Sequence, residues 1–168
     1  LHHRALEGMN IGAAAASAGT SGEKMMLTQF FRDPSRRYVV FDVGAYVGEY
    51  GKAVAETLEQ REVYCFEPAA KSFATLTQNL GGRPGVQLFN LGLGAKAEEV
   101  SLYSDSEQSV LASVYKRDIQ QHGIQLDKVE KIKLVTLDGF CQEHGIRHID
   151  LLKLDVEGHE LSVLQGAA

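Results

Sequence analysis

The chain has 168 residues, 44% apolar and 23% charged, with a net charge of −5, enough for one globular domain and its core but not two. The acidic balance offers no basic footprint for nucleic acid, and no window approaches the roughly 18 apolar residues of a membrane span. Cys65 and Cys141 are far apart and form no CxxC, which reads as two reduced thiols in a cytoplasmic protein.

Leu1-His2-His3 resembles the end of a purification tag, with Arg4 to Gly8 as linker and Met9 as the natural start. Asn10 to Glu23 is rich in Ala, Gly and Ser without sustained amphipathic pattern and reads as a mobile arm, or at most a short helix around Ala13 to Ala16. Residues 1–23 are therefore set apart from a domain over 24–168. Glu23 to Phe31 carries Met25, Met26, Leu27, Phe30 and Phe31 at helical spacing, and Asp33-Pro34-Ser35 is a turn. Tyr38 to Val43 is a run of β-formers that ends in a glycine turn, and Gly48 to Gln60 follows as an amphipathic helix. Glu62 to Glu67 is a second strand ending at Pro68, Ala69 to Leu80 a second helix stopped by Gly81-Gly82, and Val86 to Asn90 a third strand. Strands alternating with helices predict parallel pairing with right-handed crossovers.

The pattern then changes. Glu98 to Tyr103 alternates as a strand with no helix before it, and Val129 to Val135 alternates again, which predicts an antiparallel insertion around the polar stretch Ser104 to Gln125, where Val110, Leu111, Val114 and Tyr115 suit a turn of helix. Thr136 is the predicted N-cap of a helix running through His144 and stopped by Gly145. His148 to Val156 is a further buried strand, and Gly158 to Gln165 opens the next helix. The fold class is thus α/β, a doubly wound Rossmann-like, mainly parallel sheet with an antiparallel insertion. A strand beside the last one is expected in such a fold. The reading is that the natural protein continues beyond Ala168, or that a partner, such as a second copy, covers the open sheet edge.

Three stretches carry chemistry. In Asp42-Val43-Gly44-Ala45-Tyr46-Val47-Gly48 the position of the central glycine of GxGxxG, which lets backbone approach a pyrophosphate, holds Ala45 or Tyr46. That disfavours NAD and an NAD-linked oxidoreductase, and it permits a nucleotide-like cofactor without pyrophosphate, such as S-adenosylmethionine (SAM). The same turn also suits a plain strand-to-helix link. Tyr46 is placed either to pack on a cofactor or to lie exposed. Glu67, 25 positions after Asp42, ends the second strand where a carboxylate accepts ribose hydroxyls; the alternative is a solvated strand-end acid. Lys153, Asp155 and Glu157 alternate on one face before Gly158-His159-Glu160, at the same sheet edge. Ionisable groups so close to a core strand are paired or used: a site at Asp155 and Glu157, a structural Lys–carboxylate pair, or a metal set of Asp155, Glu157 and His159. His122, His144 and His148 read as surface or helix-end residues, and Cys65 as core.

Val40 to Gly48, Phe66-Glu67-Pro68, Val135 to Phe140 and Leu152-Lys153-Leu154-Asp155-Val156-Glu157-Gly158-His159-Glu160 with Val163 to Ala167 together resemble the FkbM-type SAM-dependent methyltransferases. The resemblance covers Tyr38 to Ala167 and implies a class I methyltransferase fold. It also implies methyl transfer, commonly to a hydroxyl oxygen of a sugar, polyketide or similar small metabolite. By position it places Gly44, Ala45 and Gly48 along the methionine part of SAM, with Asp42 near its amino group. Glu67, within Phe66-Glu67-Pro68, falls on the ribose, and Asn90 and Leu91 near the adenine. Asp155 and Glu157 face the reacting end, and Glu157 or His159 is the candidate base. No resident metal is implied. The chain ends before the family's last strands, which leaves open a SAM-binding module without activity of its own.

Overall fold

The structure, a computed structural model, describes residues 22–104 and 128–167. The predicted arm (1–23, all but its last two residues), the polar stretch within the insertion and His122 therefore lie outside the described residues. Helix α1 (Gly22–Phe30) precedes β1 (Tyr38–Val43), α2 (Glu49–Thr57), β2 (Arg61–Phe66), α3 (Ala70–Leu80) and β3 (Val86–Phe89). Then come β4 (Gly92–Leu93), β5 (Glu98–Ser104), β6 (Lys128–Val135), α4 (Leu137–His144), β7 (Leu151–Leu154) and α5 (Glu160–Gln165).

Sheet A has the order β3-β2-β1-β7 and is parallel throughout. Every residue of β1 is buried, as a strand covered on both faces must be. Pleating divides its side chains. Val40 joins Leu27, Val54, Val63, Leu76 and Leu80 under α1, α2 and α3. Val39, Phe41 and Val43 join Phe66, Leu93, Phe140 and Val163 on the opposite face, under α4 and α5. Phe140 sits edge-on to Phe41, Phe66 and Phe89, with centroids 5.9, 4.8 and 4.8 Å away, an arrangement aromatic quadrupoles favour.

Sheet B has the order β4-β6-β5. Its β5–β6 pair is antiparallel, as the alternation predicts. The two-residue strand β4, parallel to β6, is too short to give a periodic signal. Several boundaries are tighter than predicted. The helix after β1 stops at Thr57, and the strand expected over His148 to Val156 is regular only at Leu151–Leu154. Among the described residues β7 has a paired strand on its β1 side alone.

Helix α4 is capped as its sequence requires. Thr136 accepts a hydrogen bond from the Gly139 N–H (3.0 Å), and Gly145 closes the helix at φ 67°. Replacing Thr136 with Ala should lower stability by about 1 kcal/mol, read as a lower urea midpoint with unchanged slope; an unchanged midpoint would show the cap to be dispensable.

Candidate functional site

From β1 the strands β2 and β3 are added on one side and β7 on the other, so the strand order reverses between β1 and β7. Open α/β sheets bind ligands at such a switch point, beyond the carboxyl ends of the strands. The register aligns Phe89, Phe66, Val43 and Leu154 at those ends. The next residue of each strand is Asn90, Glu67, Gly44 and Asp155, so four residues predicted for the site stand in one row.

The glycine turn is held from both sides. A Cβ on Gly44 (φ 79°) would stand 1.9 Å from the Asp155 carbonyl oxygen, so only glycine lets the two backbones meet. Gly48 caps α2 at φ 90° and packs beneath Leu76 and Leu80. The N–H groups of the turn are largely occupied. Gly44 and Ala45 both donate to the Phe66 carbonyl (3.0 and 2.9 Å), Gly48 donates to Ala45 (2.8 Å), and Tyr46 donates to Glu67 Oε2 (2.9 Å). The turn therefore does not present the row of free donors that a phosphate requires. Ala45 itself is buried in the core. Tyr46 is half-buried and left-handed at φ 50°, uncommon for a large residue and a conformation kept where the surroundings over-determine it.

Glu67 is 7% exposed. Its Oε1 accepts the Ala69 N–H and its Oε2 the Tyr46 N–H, both at 2.9 Å. Two oxygens offer about four acceptor positions, so half remain for hydroxyl donors. Burial pushes its carboxyl up to about 7, against the pull of those two N–H groups. The Asn90 amide donates to the carbonyls of Glu67 (2.9 Å) and Pro68 (3.0 Å), so Asn90 fixes the β2 end from the neighbouring strand. Leu91 packs in the core on the α4 side.

Asp42 is fully buried. Its Oδ2 accepts the Gly51 N–H (3.2 Å), and Lys153 Nζ lies 3.1 Å from its Oδ1. The same ammonium donates to the Gly44 carbonyl (3.2 Å) and reaches Asp155 Oδ2 (3.5 Å). Burial raises the Asp42 carboxyl and Lys153 pulls it down. Burial alone would lower Lys153, but the charges of Asp42 and Asp155 outweigh it and hold the ammonium above its ordinary value. Asp42 thus acts on the turn through Lys153, and the structural Lys–carboxylate pair coexists with the site. The sequence reading left Gly51 out, although Gly44, Gly48 and Gly51 recur at one-turn spacing. A Cβ on Gly51 would stand 2.8 Å from Cys65 Sγ.

Asp155 is exposed at the edge. Glu157 (φ 51°) and Gly158 (φ 95°) form a second left-handed turn beside the first. His159 takes another direction: it is 7% exposed, with Nε2 3.2 Å from where a Cβ on Gly94 would stand, and burial lowers its pKa against the pull of Glu160 and Glu98. Among the described residues no three His, Cys, Asp or Glu side chains gather as a metal set, so Asp155, Glu157 and His159 do not converge. No helix there is long and apolar enough to cross a membrane. A separate cleft of about 290 Å³ opens at the far end of sheet A, lined by Phe31, Arg32, Tyr38, Thr57 and Gln60 among others.

The model of the methyltransferase FkbM domain matches residues 42–168, spanning the glycine turn, Glu67 and the Asp155 turn. The chain belongs to the FkbM methyltransferase family. It is 22% identical over 137 residues to the 2-O-methyltransferase NoeI of Sinorhizobium fredii, covering 76% of this chain and 56% of that protein. It is 27% identical over 146 residues to the hexuronic acid methyltransferase AglP of Haloferax volcanii (86% of this chain, 56% of that one). It is 31% identical over 159 residues to the AMB antimetabolite synthetase AmbE of Pseudomonas aeruginosa, 76% of this chain but 8% of that protein. The chain thus spans little more than half of NoeI and AglP and a small part of AmbE. No solved structure matches it.

Two outcomes follow from this FkbM-family site. Gly44→Ala should cost at least about 2 kcal/mol, from the left-handed strain and the displaced β7 backbone. Gly82→Ala, at φ 76° with nothing within 4 Å of its added Cβ, should cost only about 1 kcal/mol. Equal costs in urea denaturation would show that the β1–β7 contact does not constrain the turn. Glu67 should titrate near pH 7 by carboxyl NMR. Its folded pKa lies above the ordinary 4.5, so its contribution to stability is present below that value and is lost as pH rises through about 7. A midpoint near 4.5 would contradict its burial.

Proposed function

We propose that the chain is a SAM-dependent methyltransferase acting on a hydroxyl oxygen of a sugar, polyketide or similar small metabolite. The observation that carries this reading is the pairing of a glycine turn whose donors are already occupied with a buried carboxylate that keeps acceptor capacity. The first suits a cofactor without pyrophosphate; the second suits a ribose diol. The names of NoeI and AglP, a 2-O-methyltransferase and a hexuronic acid methyltransferase, support a sugar hydroxyl as acceptor.

SAM when bound supplies a sulfonium-activated methyl group, so the difficult chemistry belongs to the cofactor. Glu67 accepts the ribose hydroxyls, with Pro68 and Asn90 fixing its backbone. The Gly44–Gly48 turn lies along the methionine part, with Ala45 anchoring it in the core, and Asn90 and Leu91, after β3, lie toward the adenine. Asp155 and Glu157 make this edge favourable for positive charge, and the Lys153 ammonium fixes Asp155. Alignment of the acceptor oxygen and exclusion of water then provide most of the rate. Glu157 takes the hydroxyl proton. Its backbone is held in an unusual conformation at the open edge, whereas the ring of His159 is buried beside Gly94.

Calorimetry with SAM and its demethylated product, followed by a methyl-transfer assay on sugar hydroxyls, tests the proposal. Glu67→Ala should weaken SAM binding roughly 10- to 100-fold, the worth of hydrogen bonds to a charged acceptor. Glu157→Gln should lower turnover 10²- to 10⁴-fold and leave SAM affinity unchanged; equal losses in both would make Glu157 a binding or structural residue. SAM binding without turnover on any hydroxyl acceptor would favour a SAM-binding module, and NADH binding without SAM binding an oxidoreductase.

A further inference from the structure

The segment Glu67-Pro68-Ala69-Ala70 is held by a second sheet as well as by its own. Helix α3 begins at Ala70, and its N-cap, Ala69, has no side chain able to cap it. The Ala69 N–H goes to Glu67 Oε1, and the Ala70 N–H goes to Glu130 Oε1 at 3.0 Å. Glu130 belongs to β6, 60 residues away in sequence. Glu130, Ile132 and Leu134 alternate along β6 and share one face. Ile132 and Leu134 form a core cluster with Leu102 and with Ala69 itself. The pyrrolidine of Pro68 lies 3.7 Å from where a Cβ on Gly92 would stand, and Gly92 pairs with Leu134. Sheet B therefore grips the elbow immediately after Glu67 through its apolar face, and Glu130 adds a directional bond at its end. Two carboxylates, Glu67 and Glu130, answer consecutive N–H groups at the positive end of α3.

We infer that Glu130 is a positioning residue for the Glu67 carboxylate, so that the packing of sheet B sets the geometry of the cofactor site on sheet A. This rests on the reading of Glu67 as the ribose acceptor. Glu130 touches neither cofactor nor acceptor; it acts through the Ala69–Ala70 backbone.

Two variants test it. Glu130→Ala removes the acceptor, and Glu130→Gln retains one. In the ligand-free protein, amide hydrogen exchange at Ala70 should speed up in Glu130→Ala simply because its partner is gone. The deciding amide is Tyr46, on a different element, whose N–H is held by Glu67 Oε2. Its exchange should accelerate about tenfold in Glu130→Ala and return toward the parent rate in Glu130→Gln. In SAM titrations Kd should rise roughly tenfold in Glu130→Ala with the turnover at saturating SAM unchanged, and Glu130→Gln should restore it. Tyr46 exchange unaltered in both variants would overturn the inference, leaving Glu130 as a helix cap only. If the parent protein does not bind SAM, the functional reading fails, and the Tyr46 amide still decides whether Glu130 positions Glu67.

Discussion

The ends of β1 and β7 meet backbone to backbone, and the rest of the site depends on that contact. Gly44 can approach the Asp155 carbonyl only because it lacks a Cβ. Once there, it is locked by an ammonium rather than by packing. Lys153 projects from β7, beside Asp42 in register on β1, and ties together a buried carboxylate, the Gly44 carbonyl and Asp155. Removing one member of a buried ionic set leaves a charge uncompensated, which costs more than the intact set contributes. The arrangement is therefore held tightly even though its net stabilisation is small.

That clamp explains the turn. With Gly44 pinned on β7 and Gly48 pinned beneath α3, the backbone between them must turn tightly, and Tyr46 is forced into a left-handed conformation. Its N–H then faces Glu67, which completes the link from β7 through β1 to β2. Asn90 extends the chain of contacts to β3, and Glu130 to sheet B. Each strand end thus supplies one polar contact to its neighbour, so the edge that carries the candidate site is preorganised.

Much of this was legible in the residues. The β-α-β-α-β run, the antiparallel pair and the Thr136 cap followed from periodicity and capping chemistry, which are local. The row of Gly44, Glu67, Asn90 and Asp155 followed from strand ends, because parallel strands in one sheet finish at the same edge. What was hidden is long-range. Nothing around Asp42 indicates that it is fully buried beside Lys153. The occupation of the turn's N–H groups was hidden too: the Phe66 carbonyl and Glu67 take them, and both come from another strand. Glu130 looks like any solvated acid on an alternating strand, and its role appears only when sheet B is docked on Ala69. The direction of the His159 ring depends on Gly94, more than sixty residues earlier, a packing relation that no spacing records.

The central claim is that the turn from Gly44 to Gly48 and the Glu67 carboxylate form one cofactor site. The most direct test is electron density from crystals grown with SAM. The account predicts a ribose whose hydroxyls lie within hydrogen-bond distance of Glu67, with the methionine part along the Gly44 turn and the methyl end toward Asp155 and Glu157. Density in the cleft beside Phe31 and Tyr38, or a ribose turned away from Glu67, would contradict it.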